Sequence, residues 1–414
     1  MIYKLQVERS KLNSLLDMAS KAVAKKTTNP VLSGFKFSVK DDELHLYATD
    51  LQTAFHGVIK NIIFEQVEKI SDDLFEPANE NSEEEEAETN EVLFENTIDE
   101  NEAKKGMKPE FVVDAANFIE IIKNLSFENI DIYLENKNIK VIAGKSEFLL
   151  PTMDPDEFPE IVPNKAEEGI IRFERQKLLS MIERVIFCAL RDSENMSRNL
   201  NGVYWDFREG GYLTLVAADG YRLALSELSM DILNTPPSFL LSLKSMEELL
   251  NVLKGSKTET IELFFDGSRV LFFLDNDNIE IILNVVDATF PDYIRIIPQA
   301  FKTKVITSTD LFLKVLKRVS IAAKNDQVKM EIKDSIMELT AKSPEVGLAV
   351  EELEIEKEGE DIIIAYSPKY LREAIDHIGT SEVEFNITSE SSQTMIKPVG
   401  DDSYMYIVMP VRLK

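Results

Sequence analysis

Apolar residues return at helical spacing in three stretches that share one plan. In LQVERSKLNSLLDMASKAV, which begins at Leu5, the residues Leu12, Leu15, Leu16, Ala19, Ala22 and Val23 follow i, i+3, i+4 steps. Leu178, Met181, Ile182, Val185 and Ala189 do the same in IRFERQKLLSMIERVIFCAL from Ile171, and VITSTDLFLKVLKRVSIAA from Val305 repeats the layout. Each stretch predicts a short strand, a polar cap and an amphipathic helix. Each is followed by a predicted strand that ends in a similar phrase: LHLYATD at 44–50, LTLVAAD at 213–219 and MELTAKS at 337–343.

A second series repeats the strand–cap–helix order. It comprises FVVDAANFIEIIKNL from Phe111, FLLSLKSMEELLNVL from Phe239 and IIIAYSPKYLREAIDHI from Ile362. Alternating strands such as IELFFDG and VLFFLDN follow, and FLLPTM, IILNVV and YIVMPV close the three series. The two helical units lie 106 residues apart in the first repeat, 68 in the second and 57 in the third. An insertion therefore lengthens the first repeat. The pattern predicts an α+β protein of three topologically similar domains, each a doubled strand–helix–strands unit with its helices on one face of antiparallel sheets. The expected domains are residues 1–161, with an insertion at about 71–108, then 168–298 and 302–414. FPEI at 158–161 and FPDY at 290–293 close the first two.

Composition locates the insertion. Between Ser71 and Ala103 stand fourteen acidic residues and no basic one, centred on the run Glu83 to Glu86. That composition predicts a loosely ordered acidic segment. It accounts for half of the formal net charge of −28. With 44% hydrophobic residues the rest of the chain has ample core, which excludes global disorder.

Catalytic and metal chemistry finds little purchase. One cysteine, Cys188, excludes a disulfide framework and thiolate-rich zinc sites, and it reads as a core residue beside Phe187. His45, His56 and His377 are scattered along the sequence and argue against a histidine-built centre. Gly144-Lys145-Ser146 resembles the end of a phosphate-binding loop, but Ile139 stands where its first glycine belongs. Asp154 and Asp156 lack a partner cluster, and a solvated turn explains them. Asp50 and Asp219 recur at matching repeat positions, where a turn-forming role after a strand is the stronger reading. No catalytic residue, metal or cofactor is expected. No apolar run is long enough to span a membrane, and the start, MIYKLQVERSK, lacks the apolar core of a signal peptide. A cytoplasmic protein is the expectation.

The total charge argues against nucleic acid, because duplex binding rests on neutralising phosphates. Its distribution points the other way. The six helical segments sum to +7, with Lys21, Lys25, Lys26, Arg184, Arg191, Lys244, Lys314, Lys317, Arg318 and Lys324 among their cations. At physiological salt the Debye length is about 8 Å, so a duplex against those helices feels the local lysines more than distant glutamates. Six helices packed about 10 Å apart and about 10 Å wide enclose a hole of roughly 9 Å. Twelve enclose roughly 28 Å, which accommodates a duplex with grooves about 8 Å deep. A ring around DNA requires two chains.

The phrases NPVLSGF from Asn29, LNGVYWD from Leu200, AADGYRLAL from Ala217, FPDYIRIIP from Phe290 and YIVMPVRL from Tyr406 carry a family resemblance. The chain resembles the bacterial DNA sliding clamps, the β subunits of the DNA polymerase III holoenzyme, over all three repeats except the acidic insertion. The resemblance implies the clamp fold and a head-to-tail homodimer that forms a ring around duplex DNA without sequence specificity. It implies a processivity factor for DNA replication, with no catalysis of its own. Implied partners are the replicative polymerase subunit, the clamp loader and other proteins carrying clamp-binding motifs. The rival reading is a repeat-built adaptor that binds protein tails without encircling DNA.

The resemblance also places sites. A peptide-binding pocket would use Leu200, Gly220, Tyr221, Arg222 and Leu223, then Pro291 and Ile296, and finally Val408, Met409, Pro410, Val411 and Arg412. Tyr221 stands where relatives often have histidine, and Ala218 where they often have threonine. DNA contacts would fall to Lys26, Arg191, Arg198 and Lys244. The dimer contact would pair Phe148 and Leu150 with Ile321.

Overall fold

The computed structural model describes residues 2–67, 109–135, 137–161, 169–191, 198–230, 236–274, 276, 278–324 and 326–413. The acidic insertion inferred at about 71–108 lies outside them. The chain divides into two compact units. One comprises Met1–Asn164 with Gly255–Lys257 and Phe273–Ile282, and the other comprises Lys165–Lys254, Thr258–Phe272 and Leu283–Lys414. Among the described residues there are six α-helices: α1 (Arg9–Ala19), α2 (Ala115–Asn124), α3 (Arg175–Ile186), α4 (Leu243–Gly255), α5 (Thr309–Val319) and α6 (Pro368–Asp376). Each follows a short strand, in both predicted series. No helix among them is long and apolar enough to cross a membrane.

The helix faces follow from the apolar spacing. In α5, Phe312, Val315, Leu316 and Val319 are buried; the Ser308 hydroxyl caps the N-terminus by accepting from the Leu311 amide at 3.4 Å. Asp310 in its first turn and Lys317 and Arg318 in its last complement the helix dipole. Asp114 caps α2 in the same way, accepting from Asn117 N at 2.9 Å. Two helices stop sooner than the periodicity suggests. α1 ends at Ala19, where the Ser20 hydroxyl turns back to donate to the Asp17 carbonyl at 2.7 Å, and α3 ends at Ile186. Ala22, Val23 and Ala189 lie beyond those ends yet remain buried. Burial keeps the same spacing after the helical hydrogen bonding ceases.

In the first unit, strands Ile63–Val67, Ile2–Glu8, Asn129–Glu135, Asn138–Ala143 and Ser146–Pro151 form a five-stranded antiparallel sheet in that spatial order. Thr53–Lys60, Glu43–Thr49, Gly34–Lys40 and Glu110–Asp114 pair successively in a further run of strands. Phe37, Phe111 and Phe118 fill this unit's core, with the Phe37 and Phe111 rings stacked at 5.0 Å.

The second unit is organised by a nine-stranded sheet. Its order is Phe239–Ser242, Gly202–Arg208, Tyr212–Ala218, Arg222–Ser229, Tyr404–Val408, Thr394–Pro398, Glu382–Ile387, Thr303–Ser308 and Glu356–Gly359. A four-stranded sheet runs Gly347–Glu354, Ile336–Ser343, Val328–Lys333 and Ile362–Tyr366. Trp205 is fully buried among Phe173, Phe239 and Phe272, and its indole N–H faces Met246 Sδ at 3.4 Å. One pairing matters most for function. Arg222 lies opposite Val408 and Leu223 opposite Ile407, so the strand after the ADGYRL turn is zipped to the last strand of the chain.

Candidate functional site

The turn at Asp219-Gly220-Tyr221-Arg222 follows from local chemistry. Asp219 Oδ1 accepts from the Tyr221 amide at 2.9 Å and the Arg222 amide at 3.1 Å. Gly220 takes φ +91°, a backbone conformation that a side chain would strain. Asp50 repeats the arrangement, with Oδ1 accepting from Gln52 N at 3.0 Å and Thr53 N at 2.7 Å. Both aspartates therefore build turns, in keeping with their matching repeat positions.

Arg222 is buried, and its donors are spent inside the protein. Nε donates to Asp219 Oδ2 at 2.9 Å, one terminal nitrogen donates to the Phe187 carbonyl at 3.1 Å, and the other pairs with Glu373. The guanidinium also lies over the Tyr370 ring, 4.4 Å from its centroid. Removing a charge from water is costly, and this one is offset by two carboxylates, a carbonyl and an aromatic face. Cys188 is fully buried, and burial pushes its thiol well above the ordinary range, so it stays protonated in the core.

Beside this turn the second unit holds a contiguous apolar cluster. Val216, Ala218, Leu223, Leu225, Leu240, Phe290, Tyr293 and Ile407 are buried in it, and Leu200, Tyr204, Val286, Ala288, Ile297 and Met405 pack against it. The cluster is ringed by apolar groups that reach solvent. Tyr221 is 61% exposed, Met409 40% and Ile296 39%, and Pro291 is exposed as well. The C-terminal segment is held by its backbone: Met409 N donates to Tyr221 O at 2.9 Å and Val411 N to Ala365 O at 2.8 Å, while Gln327 Nε2 donates to Arg412 O at 2.9 Å. Val408 is buried, Pro410 and Val411 are half-buried, and Arg412 is exposed. A buried apolar cluster with exposed apolar side chains next to it in sequence has the chemistry that hydrophobic peptide anchors require.

The structure thus brings Leu200 and Leu223 to one apolar cluster, sets Ile296 between the cluster members Tyr293 and Ile297 in sequence, and ties Tyr221 to Met409. Sequence reasoning missed Phe290 and Tyr293 as cluster residues, although both stand in the FPDY phrase. It also missed Phe187, Tyr370 and Glu373, for which no local signal exists. Of the DNA-contact candidates, Lys26 is exposed after α1 and Lys244 is half-buried in α4. Arg191 is exposed and paired with Glu247 at 3.1 Å. Arg198 opens the turn Arg198–Leu200, and its side chain lies outside the described residues. Phe148 and Ile321 are exposed, whereas Leu150 is half-buried and its neighbour Leu149 is 67% exposed.

The first unit adds an arrangement that the sequence obscured. His45 Nδ1 and His56 Nε2 face each other at 3.0 Å, and His56 Nδ1 donates to Glu280 at 2.8 Å. Burial and the neighbouring His56 push His45 down to about 4. Among the described residues no group of three or more His, Cys, Asp or Glu side chains is placed to hold a metal ion.

Three family models match the chain: the N-terminal domain of the DNA polymerase III beta subunit over residues 3–70 and 86–162, its central domain over 172–292 and its C-terminal domain over 294–412. The Bacillus subtilis beta sliding clamp is 28% identical over 416 residues, covering 99% of each chain. The Staphylococcus aureus beta sliding clamp is 27% identical over 412 residues, covering 98% of each. Among solved structures, the Thermotoga maritima DNA polymerase III beta subunit superposes with a TM-score of 0.84 at 36% identity, covering 100% of both chains. The Bacillus subtilis DNA polymerase sliding clamp gives 0.82 at 24% identity, again over 100% of both. The family models and the full-length relatives define a DNA sliding clamp, a processivity factor for DNA polymerase. The chain belongs to the DNA polymerase III beta subunit family.

Proposed function

We propose that two copies of this chain close head to tail into a ring around duplex DNA, and that the ring carries the replicative polymerase through the apolar site of the second unit. One observation carries the ring: two sheet edges in different parts of the chain each expose apolar side chains. Ser146–Pro151 is the edge strand of the five-stranded sheet and exposes Phe148 and Leu149. Gly347–Glu354 is the edge strand of the four-stranded sheet and exposes Leu348 and Val350, and Ile321 is exposed after α5. Unpaired edges are templates for strand addition, and pairing one edge with the other edge of a second copy makes a head-to-tail, heterologous contact of the kind from which rings are built. Phe148, Leu150 and Ile321 are assigned to that contact, with Leu149 added.

The three domains, 1–161, 168–298 and 302–414, would then set twelve helices around the hole. Lys26, Arg191, Arg198 and Lys244 would touch the DNA backbone weakly, because a tight grip on phosphates opposes sliding. Partners at the apolar site are the replicative polymerase subunit, the clamp loader and other proteins with clamp-binding motifs. The ring works in the cytoplasm and catalyses nothing. Native mass measurement tests the assembly. The expected mass is that of two chains, falling to one for Leu149→Asp with Ile321→Asp. A single-chain mass for the wild type across the micromolar range would overturn it.

A further inference from the structure

The short 3-10 turn Tyr293–Ile296 stands in the stretch assigned to the peptide site, yet little local bonding holds it in place. It has four residues, its Asp292 cap makes no side-chain hydrogen bond, and its closing contact is Ile297 N to Ile294 O at 3.2 Å. The Asp292–Arg295 ion pair spans 2.7 Å, but both side chains are largely exposed, so it contributes little. Ile294 and Ile296 nevertheless project from this turn into solvent beside the apolar cluster. Groups distant in sequence must therefore hold it: the Gln393 side-chain amide donates to the Ile296 carbonyl at 3.1 Å, at the exposed end of the turn.

Tyr293 is placed to be a second anchor. Its ring is 3% exposed and packs edge-on to Phe290 and Tyr204, within the apolar cluster. Its hydroxyl leaves the cluster and donates to Asp206 Oδ2 at 2.7 Å. The same carboxylate oxygen accepts from Arg208 Nε at 3.0 Å, and Arg208 also donates to the Tyr293 oxygen. The other carboxylate oxygen accepts from the Ser238 hydroxyl at 2.9 Å, and Ser238 accepts from the Phe207 amide at 3.1 Å. Arg208 further faces Glu227 at 3.7 Å, and Glu227 accepts from Thr214 at 3.2 Å. Strands Gly202–Arg208, Tyr212–Ala218 and Arg222–Ser229 all contribute. Partly buried, mutually satisfied networks of this kind fix one geometry, because every alternative leaves a polar group unpaired.

We propose that Asp206, Arg208 and Tyr293 are positioning residues for the peptide site: they lock the turn Tyr293–Ile296 so that Ile296 and Pro291 form a standing wall in the free protein. The inference rests on the peptide-docking reading of the apolar site. A wall set in advance spares the bound peptide the entropy of ordering the turn, so loosening it raises the dissociation rate more than it slows association. Burial alone would raise the Asp206 carboxyl, but the bonds from Tyr293, Arg208 and Ser238 outweigh it and hold the group below its ordinary range. It therefore remains the charged acceptor at neutral pH.

The test uses the full chain and a short fluorescent peptide bearing leucine and phenylalanine, with dissociation followed by anisotropy and folding by thermal melts. Tyr293→Phe retains the ring and deletes the hydroxyl, and should weaken binding about fivefold, mainly through faster release, as expected for about 1 kcal/mol. Asp206→Ala should cost more, and Asp206→Asn, which keeps an acceptor for the hydroxyl, should fall between. Wild-type affinity in the folded fraction of Tyr293→Phe and Asp206→Ala, even with lowered melting temperatures, would overturn the proposal by showing a purely structural role. Met409→Asp separates the two readings. Lost binding there with unchanged binding in Tyr293→Phe refutes the positioning role alone, whereas a wild type that does not bind the peptide refutes the docking site and the positioning role together.

Discussion

The sequence DGxR occurs twice in the second unit, at Asp219–Arg222 and at Asp266–Arg269, and the two turns are near copies. In each, the aspartate Oδ1 accepts two amides, at 2.9 and 3.1 Å in the first and 3.0 and 2.7 Å in the second. The glycines take φ +91° and +101°, and each arginine Nε returns to its aspartate, at 2.9 and 2.7 Å. The surroundings differ. The Arg222 side chain is 6% exposed and reaches Glu373 and Phe187 O under the Tyr370 ring, whereas Arg269 is 39% exposed. Four residues therefore suffice to make the turn, and a site arises only where distant elements close over it.

Truncating the two arginines separates these contributions. Arg222→Ala should lower the stability of the second unit by about 3 kcal/mol in urea, because Asp219 and Glu373 lose their shared cation in a mostly buried setting. Arg269→Ala should cost less than about 1 kcal/mol. Equal losses would mean that the turn, not its surroundings, holds the energy. Next in size, Gly220→Ala and Gly267→Ala should each cost about 1 kcal/mol and match one another, since an added Cβ meets nothing within 4 Å in either and only the backbone is strained.

The turn at Asp50 differs from both, because Leu51 occupies the left-handed region at φ 74° where the other two turns have glycine. Leu51→Gly should stabilise the first unit by about 0.5 kcal/mol, as relief of strain outweighs the added freedom of the unfolded chain. The smallest effect concerns acid. Burial opposes ionisation of Asp266, but the Ser268 amide and Arg269 prevail and hold its carboxyl below the ordinary value. A depressed carboxylate contributes stability that is complete above the unfolded value near pH 4 and is lost as pH falls through the native one. Asp266→Asn should therefore destabilise slightly at pH 7, and urea titrations should show that difference vanishing in strong acid.

How far the sequence foretells these features depends on range. Strand–helix alternation, the threefold repeat and the helix faces are periodic and local, so Leu178, Met181, Ile182 and Val185 reveal a face that the structure buries. Helix ends are less legible, because Ala22, Val23 and Ala189 stay in step with the period after the helices stop. The Asp219 turn is readable from its residue types. Its pairing with Glu373 is not, since 151 positions separate Arg222 from that carboxylate, which the helix Pro368–Asp376 supplies. His45 and His56 read as scattered for the same reason: they become neighbours only once Tyr47 is set opposite His56 in the hairpin.

Encirclement is a property of topology, and loading onto circular DNA reads it out. The chain, labelled and loaded onto nicked circular duplex DNA with a clamp loader and ATP, is passed through gel filtration at moderate salt before and after the circle is cut once. A closed two-chain ring stays with the circle and runs off the linear product. Equal retention on both, changing only with salt, would show binding without encirclement and rule out the closed ring.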